Sequence, residues 1–309
     1  MVENYAPLAI FAYNRFEEFV QTISSLKKNP ECSDTNLYIF IDGARNKADE
    51  NSIKKIYEYC QQIIGFRELN ITVRDRNIGL KANIISGVSS VIEKFGRVIC
   101  LEDDIVVSSN FLNYMNSSLQ KYENREDVWH INGWNVNYNF KKEQKIFCSP
   151  VMNCWGWATW ERSWKHFSDS FETNIKIWDI SKRYKFNLSG SNSFYSQLVG
   201  NFIGRNNTWA VFWYATIFNN AGKCITPRLS LTKNIGEKNP THKQGMEFSN
   251  QTIYEGDFIL PSKTLIDEDE VTYMKMEYFK RSSSYDLVKR FIWLLMPIWV
   301  ISKFFKIRQ

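Results

Sequence analysis

The residues best placed to do chemistry are three consecutive acids, Glu102, Asp103 and Asp104, directly after the apolar run Val98–Leu101. Carboxylates crowded at the end of a buried strand repel one another and lose hydration. A divalent cation offsets both costs, and hard cations such as Mg²⁺ or Mn²⁺ prefer carboxylate oxygens. Taken alone, the run also reads as a solvated turn. Three more polar clusters follow apolar runs: Tyr13-Asn14-Arg15, Asp42-Gly43 and Arg76-Asn77-Ile78-Gly79-Leu80-Lys81. There is no GxxxxGK[ST], and no GxGxxG after the first apolar run, which argues against P-loop hydrolysis and dinucleotide redox chemistry. None of the six cysteines forms a CxxC, so zinc-ribbon and thioredoxin-like readings have no support. Of the three histidines, His130 sits in an apolar run and reads as structural, while His242 lies in a polar loop.

The elements that must position these clusters alternate. Short apolar runs at Pro7–Ala12, Leu37–Ile41, Leu69–Val73, Val98–Leu101 and Val128–Ile131 predict strands. Between them, apolar residues at helical spacing predict helices, as in Phe16, Phe19, Val20, Ile23 and Leu26. Such alternation implies an α/β fold with a mostly parallel sheet flanked by helices. Ligands in these sheets bind beyond the carboxyl ends of the strands, where all four clusters fall. Residues 132–208 have weak periodicity, and Lys223–Thr232 reads as a strand or hairpin.

The net charge is +6. Residues 280–309 hold seven basic residues against Asp286 alone, so the excess lies wholly there and residues 1–279 are neutral. A basic nucleic-acid-binding face is therefore not expected, and no nucleic-acid partner is predicted. The start lacks a basic, apolar leader, which makes the cytoplasm the expected compartment. Nine of the 11 tryptophans fall between Trp129 and Trp213. The segment Phe291–Ile301 is apolar with basic flanks, too short to span a bilayer and interrupted by Pro297. It is predicted to lie in a membrane interface, giving peripheral association with the inner leaflet through residues 285–309; docking on the body is the alternative.

These motifs resemble those of GT-A-fold nucleotide-sugar glycosyltransferases. The pattern is similar to the N-acetylglucosaminyltransferase that initiates complex N-glycans and to its bacterial polysaccharide-assembling relatives. The carriers are Ala12-Tyr13-Asn14-Arg15, Phe40-Ile41-Asp42-Gly43 and Glu102-Asp103-Asp104 with the following IVVSSNFL. The resemblance implies a Rossmann-like GT-A sheet with a C-terminal helical tail. It also implies transfer from a nucleoside-diphosphate sugar, most simply UDP-linked, to a surface-glycan acceptor on a lipid carrier. It assigns nucleotide-sugar binding to Phe11, Tyr13, Arg15, Asp42, Arg76, Asn77, Gly79, Lys81, Glu102 and Asp103. Asp104, together with His242, would hold Mn²⁺ (or Mg²⁺). Residues 1–128 would form the nucleotide-sugar half, residues 129–262 the acceptor-binding and catalytic half, and residues 263–309 the membrane-associating tail.

The resemblance breaks at the general base. The family supplies a carboxylate between tryptophans, whereas Trp209-Ala210-Val211-Phe212-Trp213 has none. Glu161, after Trp155-Gly156-Trp157-Ala158-Thr159-Trp160, is the replacement candidate; a helix-start acid is its plainer reading. Trp155, Trp157 and Trp209 are candidates for stacking on acceptor or donor sugars, or else core residues. The missing carboxylate also admits a degenerate transferase acting as a glycan-binding scaffold.

Overall fold

Five consecutive buried residues, Leu8–Ala12, form the first strand, which lies inside the sheet with a parallel neighbour on each side. The computed structural model describes residues 5–136, 145–175, 178–236, 252–256, 258–260, 268–280 and 284–296. In chain order the elements are β1 (Leu8–Ala12), α1 (Phe16–Leu26), β2 (Asn36–Ile41), α2 (Lys47–Cys60), β3 (Glu68–Val73), α3 (Gly79–Phe95), β4 (Arg97–Glu102), β5 (Ile105–Val107) and α4 (Phe111–Lys121). Then follow β6 (Val128–Asn132), β7 (Ile146–Ser149), β8 (Trp157–Trp160), α5 (Glu161–Trp164), α6 (Phe171–Ile175), α7 (Ile180–Phe186), α8 (Phe194–Phe202) and α9 (Ala210–Asn219). The last are β9 (Lys223–Pro227), β10 (Thr232–Asn234), α10 (Glu268–Lys280) and α11 (Ser284–Leu295).

The chain divides into two units, residues 1–165 with 223–266, and residues 166–222 with 267–309. The first holds an eight-stranded sheet in the order β3-β2-β1-β4-β8-β6-β9-β7. The first four strands are mutually parallel, and β8 and β7 run against the rest. This is the α/β, mostly parallel architecture expected from the alternation. The five expected strands and their helices are present. The antiparallel β8, inserted between β4 and β6, was not anticipated. Its four residues are all buried and contain two tryptophans, so no alternation of polar and apolar residues marked it.

Local chemistry sets the helix boundaries. Asn46 caps α2 by accepting from the backbone N–H groups of Ala48 and Asp49. Gly96, with φ 72°, ends α3 in the left-handed conformation that glycine adopts without strain. The start of α3 has no cap from its own neighbour. It is served by a strand end, as shown below.

In the second unit, a buried aromatic cluster joins the helices: Phe186 stacks on Tyr214 at 4.5 Å, and Trp178 packs on Phe186 at 4.7 Å. Arg183 is buried and donates to the carbonyls of Trp178, Leu294 and Met296, which ties α7 to the end of α11. Asp179 caps α7 by accepting from the Lys182 N–H. The segment predicted for a membrane interface thus begins as a helix docked by one face, with Trp293 and Leu294 buried. Residues 297–309, with Pro297, lie outside the described residues.

Gly43 fixes the rim of the sheet. A Cβ there would collide with the backbone carbonyl of Arg76, so the exits of β2 and β3 touch only because residue 43 has no side chain. Gly43→Ala is expected to lower stability by about 1–3 kcal/mol, the usual cost of overpacking; urea unfolding measures it.

Candidate functional site

The parallel strands end on one edge. Phe11 lies opposite both Phe40 and Glu102, so the exits of β1, β2 and β4 are level. The polar clusters that follow them meet at this rim, the usual ligand side of such a sheet.

Glu102 is half-buried at the end of β4, and Asp103 and Asp104 are buried in the turn to β5. Asp103 is held from three directions. Its N–H donates to the Phe11 carbonyl (3.0 Å), its carbonyl accepts from Thr22 Oγ1 (2.8 Å), and its carboxylate accepts from the Tyr13 N–H (3.0 Å). Asp104 Oδ2 pairs with Arg15 Nη1, while Asp104 Oδ1 is buried without a hydrogen-bond partner. Burial raises all three carboxyls above the usual range. Repulsion from Asp104 adds to this at Glu102 and Asp103, and Arg15 opposes it at all three. When ionised, three carboxylates facing one guanidinium leave two negative charges unbalanced.

That excess and the orphaned Asp104 oxygen suit one divalent cation. Among the described residues no three His, Cys, Asp or Glu side chains form a metal cage. The donor set therefore suits a cation held by one or two carboxylates and completed by substrate phosphates and water, as Mg²⁺-type sites are. His242 lies outside the described residues. The chain approaches the triplet from the other side through β10, antiparallel to β5. The Ile235 N–H donates to the Asp104 carbonyl (2.8 Å). Gly236 packs so closely that a Cβ would overlap Asp104 Oδ2 and lie 2.8 Å from Arg15 Nη1.

Asp42 has a different part from the one the motif implies. Its oxygens accept from the N–H groups of Gly43, Ile78 and Gly79 (2.9 Å each) and from Asn77 Nδ2 (3.0 Å). A carboxylate has about four lone-pair sites, so this one is saturated. It serves as the missing cap of α3 and holds the Asn77–Gly79 turn from across the sheet. The assignment of Asp42 to direct nucleotide contact is corrected to positioning.

Asp49 was missed. It accepts from the Tyr13 hydroxyl (2.6 Å), Asn14 Nδ2 (2.7 Å) and Asn46 Nδ2 (2.8 Å). The Tyr13 hydroxyl is the main reason its carboxyl lies below the usual range. Burial first, then Asp49, push Tyr13 up to about 12. The Arg45 guanidinium lies 5.2 Å from the Tyr13 ring centroid, and its Nε donates to Asn77 Oδ1 (3.2 Å). The Asn46-x-x-Asp49 spacing marks a helix start, but nothing in it points back to β1.

The remaining candidates separate. Phe11 is 2% exposed and stacked on Phe40 at 5.3 Å, so its side chain is core and only its carbonyl serves the rim. Trp157 is also core, 2% exposed and stacked on His130. Burial pushes His130 down to about 3 and keeps it neutral, as a structural residue. Burial therefore removes the Phe11 side chain from the nucleotide-sugar set and Trp157 from the sugar-contact candidates. Trp209, at the start of α9 in the second unit, is 3% exposed and likewise core. Trp155 differs. Cys100 opposes Trp157 in the antiparallel β4–β8 pair, so Trp155 lies toward the exit of β4. It is half-buried, with Trp134 edge-on at 5.0 Å. Beside it, burial first and then the Glu102 charge push the Cys154 thiol above its usual range. Arg76 is exposed in its turn, and Lys81 is half-buried in the first turn of α3.

Glu161 is at the wrong end. Trp160 opposes Arg97, where β4 begins, and the Glu161 N–H donates to the Gly96 carbonyl (2.8 Å). Five strand residues, roughly 16 Å, separate that level from Glu102. Exposed there, Glu161 is a helix-start acid and not the base of this site.

No protein-family model and no curated protein matches the sequence. Solved structures do. The 1–349 piece of S. aureus TarS has a TM-score of 0.40 and 9% identity over 71% of this chain and 57% of that one. Longer TarS gives 0.32 and 11%, covering 45% of this chain and 24% of that chain. The mannosyltransferase PcManGT from Pyrobaculum calidifontis, in complex with GDP-Man and Mn²⁺, gives 0.35 and 9%, covering 70% of each chain. The match thus spans about a quarter of the longer TarS chain and 57% of the shorter. Likenesses this distant say nothing of activity.

Asp42→Ala strands donors at the α3 start and is expected to destabilise by about 2–3 kcal/mol in urea unfolding. A residue that only touched ligand would leave stability unchanged. Glu161→Gln is expected to keep turnover and nucleotide affinity near those of the unmodified protein, measured by steady-state kinetics and titration.

Proposed function

We propose that the protein is a metal-dependent glycosyltransferase that moves a sugar from a nucleoside-diphosphate donor, most simply UDP-linked, to a glycan acceptor carried on a lipid. One observation carries this reading. A triplet of carboxylates, two of them buried, underbalanced by a single arginine and with one orphaned oxygen, sits at the ligand edge of a Rossmann-like sheet. The motif resemblance of Arg15 and Glu102–Asp104 supplies the reaction class.

Asp104, with Glu102 or Asp103, would hold the Mn²⁺ or Mg²⁺. Held there, the cation would supply charge neutralisation to a departing diphosphate. Arg15, already against Asp104, brings a fixed positive charge to the same phosphates. The Tyr13 N–H orients Asp103. Asp42 and Asn77 hold the Gly79 turn, and with it the start of α3, in place at the rim. Trp155 offers a half-buried aromatic surface beside Glu102 for a sugar ring.

Calorimetric titration with UDP and GDP, with and without Mn²⁺, tests the reading. Mn²⁺ is expected to strengthen binding of one of them at least tenfold, and Asp104→Asn to remove that gain without lowering the melting temperature. Absence of any metal-dependent nucleotide binding would overturn the proposal and favour a scaffold.

A further inference from the structure

Helix α11 has two apolar faces. One is docked within the second unit: Trp293 and Leu294 are buried, and Arg290 donates to the Gly190 carbonyl (3.2 Å). The other carries Val288 (60% exposed), Phe291 (61%), Ile292 (53%) and Leu295 (58%). These follow at intervals of three, four and seven residues, so they form one line along the helix. The line continues onto α7. Leu295 and Ile180 (51% exposed) border one cavity of about 450 Å³, shared with Asp179, Ser181 and Arg183. Tyr184, one turn from Ile180, is 43% exposed. An apolar stripe this long on a solvent-facing helix calls for a cover.

We infer that this stripe docks on an anionic bilayer surface, with α11 lying in the plane of the interface. Charge chooses the occupant. The second unit, residues 166–222 with 267–309, holds 13 basic residues against nine acidic, +4 of the chain's net +6, and Lys185 and Lys280 in it are exposed. The Asp179 carboxylate is occupied in capping α7, and Glu277 pairs with Lys280. A second copy packed symmetrically would bring two units of the same net charge together, which like charges disfavour. Anionic headgroups would meet that charge with the opposite sign. Length fixes the posture: 12 helical residues extend about 18 Å, short of the ~30 Å of a hydrocarbon core. No described helix is long and apolar enough to cross a membrane.

The test is flotation of the full chain with two kinds of vesicle, phosphatidylcholine alone and phosphatidylcholine mixed with phosphatidylglycerol. Binding is expected only to the mixed vesicles, weakening as salt is raised. The combined Phe291→Ser, Ile292→Ser and Leu295→Ser variant is expected to bind on the order of a hundredfold more weakly. Lys185→Gln and Lys280→Gln should each cost about fivefold, and they disturb no buried contact if the triple variant proves unstable. Nucleotide titration of the same variants should be unchanged, which separates this inference from the proposed activity. It is overturned if the chain ignores anionic vesicles, if stripe and lysine variants bind as well as the parent, or if light scattering shows a dimer that the stripe variant abolishes.

Discussion

Placing three adjacent carboxylates at the dry end of a central strand is the constraint to which the rest of the rim answers. Each charge needs a donor or a counter-charge, and the donors come from elements distant in sequence. Tyr13 gives its backbone N–H to Asp103, Thr22 its hydroxyl to the same residue, and Arg15 its guanidinium to Asp104. The accommodation stops short of completion, because Asp104 Oδ1 is left buried and unbonded. Buried polar atoms are nearly always paired, and this unpaired oxygen is the one such atom that belongs to the acidic triplet at the sheet's carboxyl edge.

A second carboxylate gives the rim its rigidity. Asp42 ends β2 yet bonds the first N–H groups of α3, thirty-five residues and more away in the chain. A helix N-terminus favours negative charge, so the strand end and the helix start hold each other. The bare Cα of Gly43 lets the β3 exit close against the same point. Tyr13, Asn14, Arg45, Asn46 and Asp49 extend this web along the edge, and Arg45 links it back to Asn77. The loops at the rim are therefore fixed by hydrogen bonds before any ligand arrives.

Much of this was legible in the sequence, for physical reasons. Parallel strands buried on both faces read as apolar runs, and amphipathic helices show their period, so β1–β4, β6 and α1–α4 fall where the pattern puts them. The triplet was legible because it follows an apolar run in a series where three other polar clusters do the same, which outweighs the solvated-turn reading that the run alone allows. What failed was direction and depth. Glu161 and Trp155 flank the same four-residue strand, and only the antiparallel insertion of β8 shows that they face opposite ends of the sheet. Phe11 and Trp157 stand beside functional motifs, but β1 and β8 are buried on both faces, so their rings belong to the core. Asp42 was recognised as important, yet its partners lie across a crossover that no local pattern encodes.

The short pair of β5 with β10 has a consequence of timing. Val107 is matched with Thr232, so 124 residues of chain intervene between the two sides of the pair. During synthesis the triplet emerges long before the strand that closes over it, and its carboxylates remain hydrated through that interval. Ile235 and Gly236, which close on Asp104, are made after the whole of the parallel sheet's first four strands. Closing a loop of that length adds only a logarithmic entropy cost, so deferring the most costly burial to the last contact is thermodynamically mild.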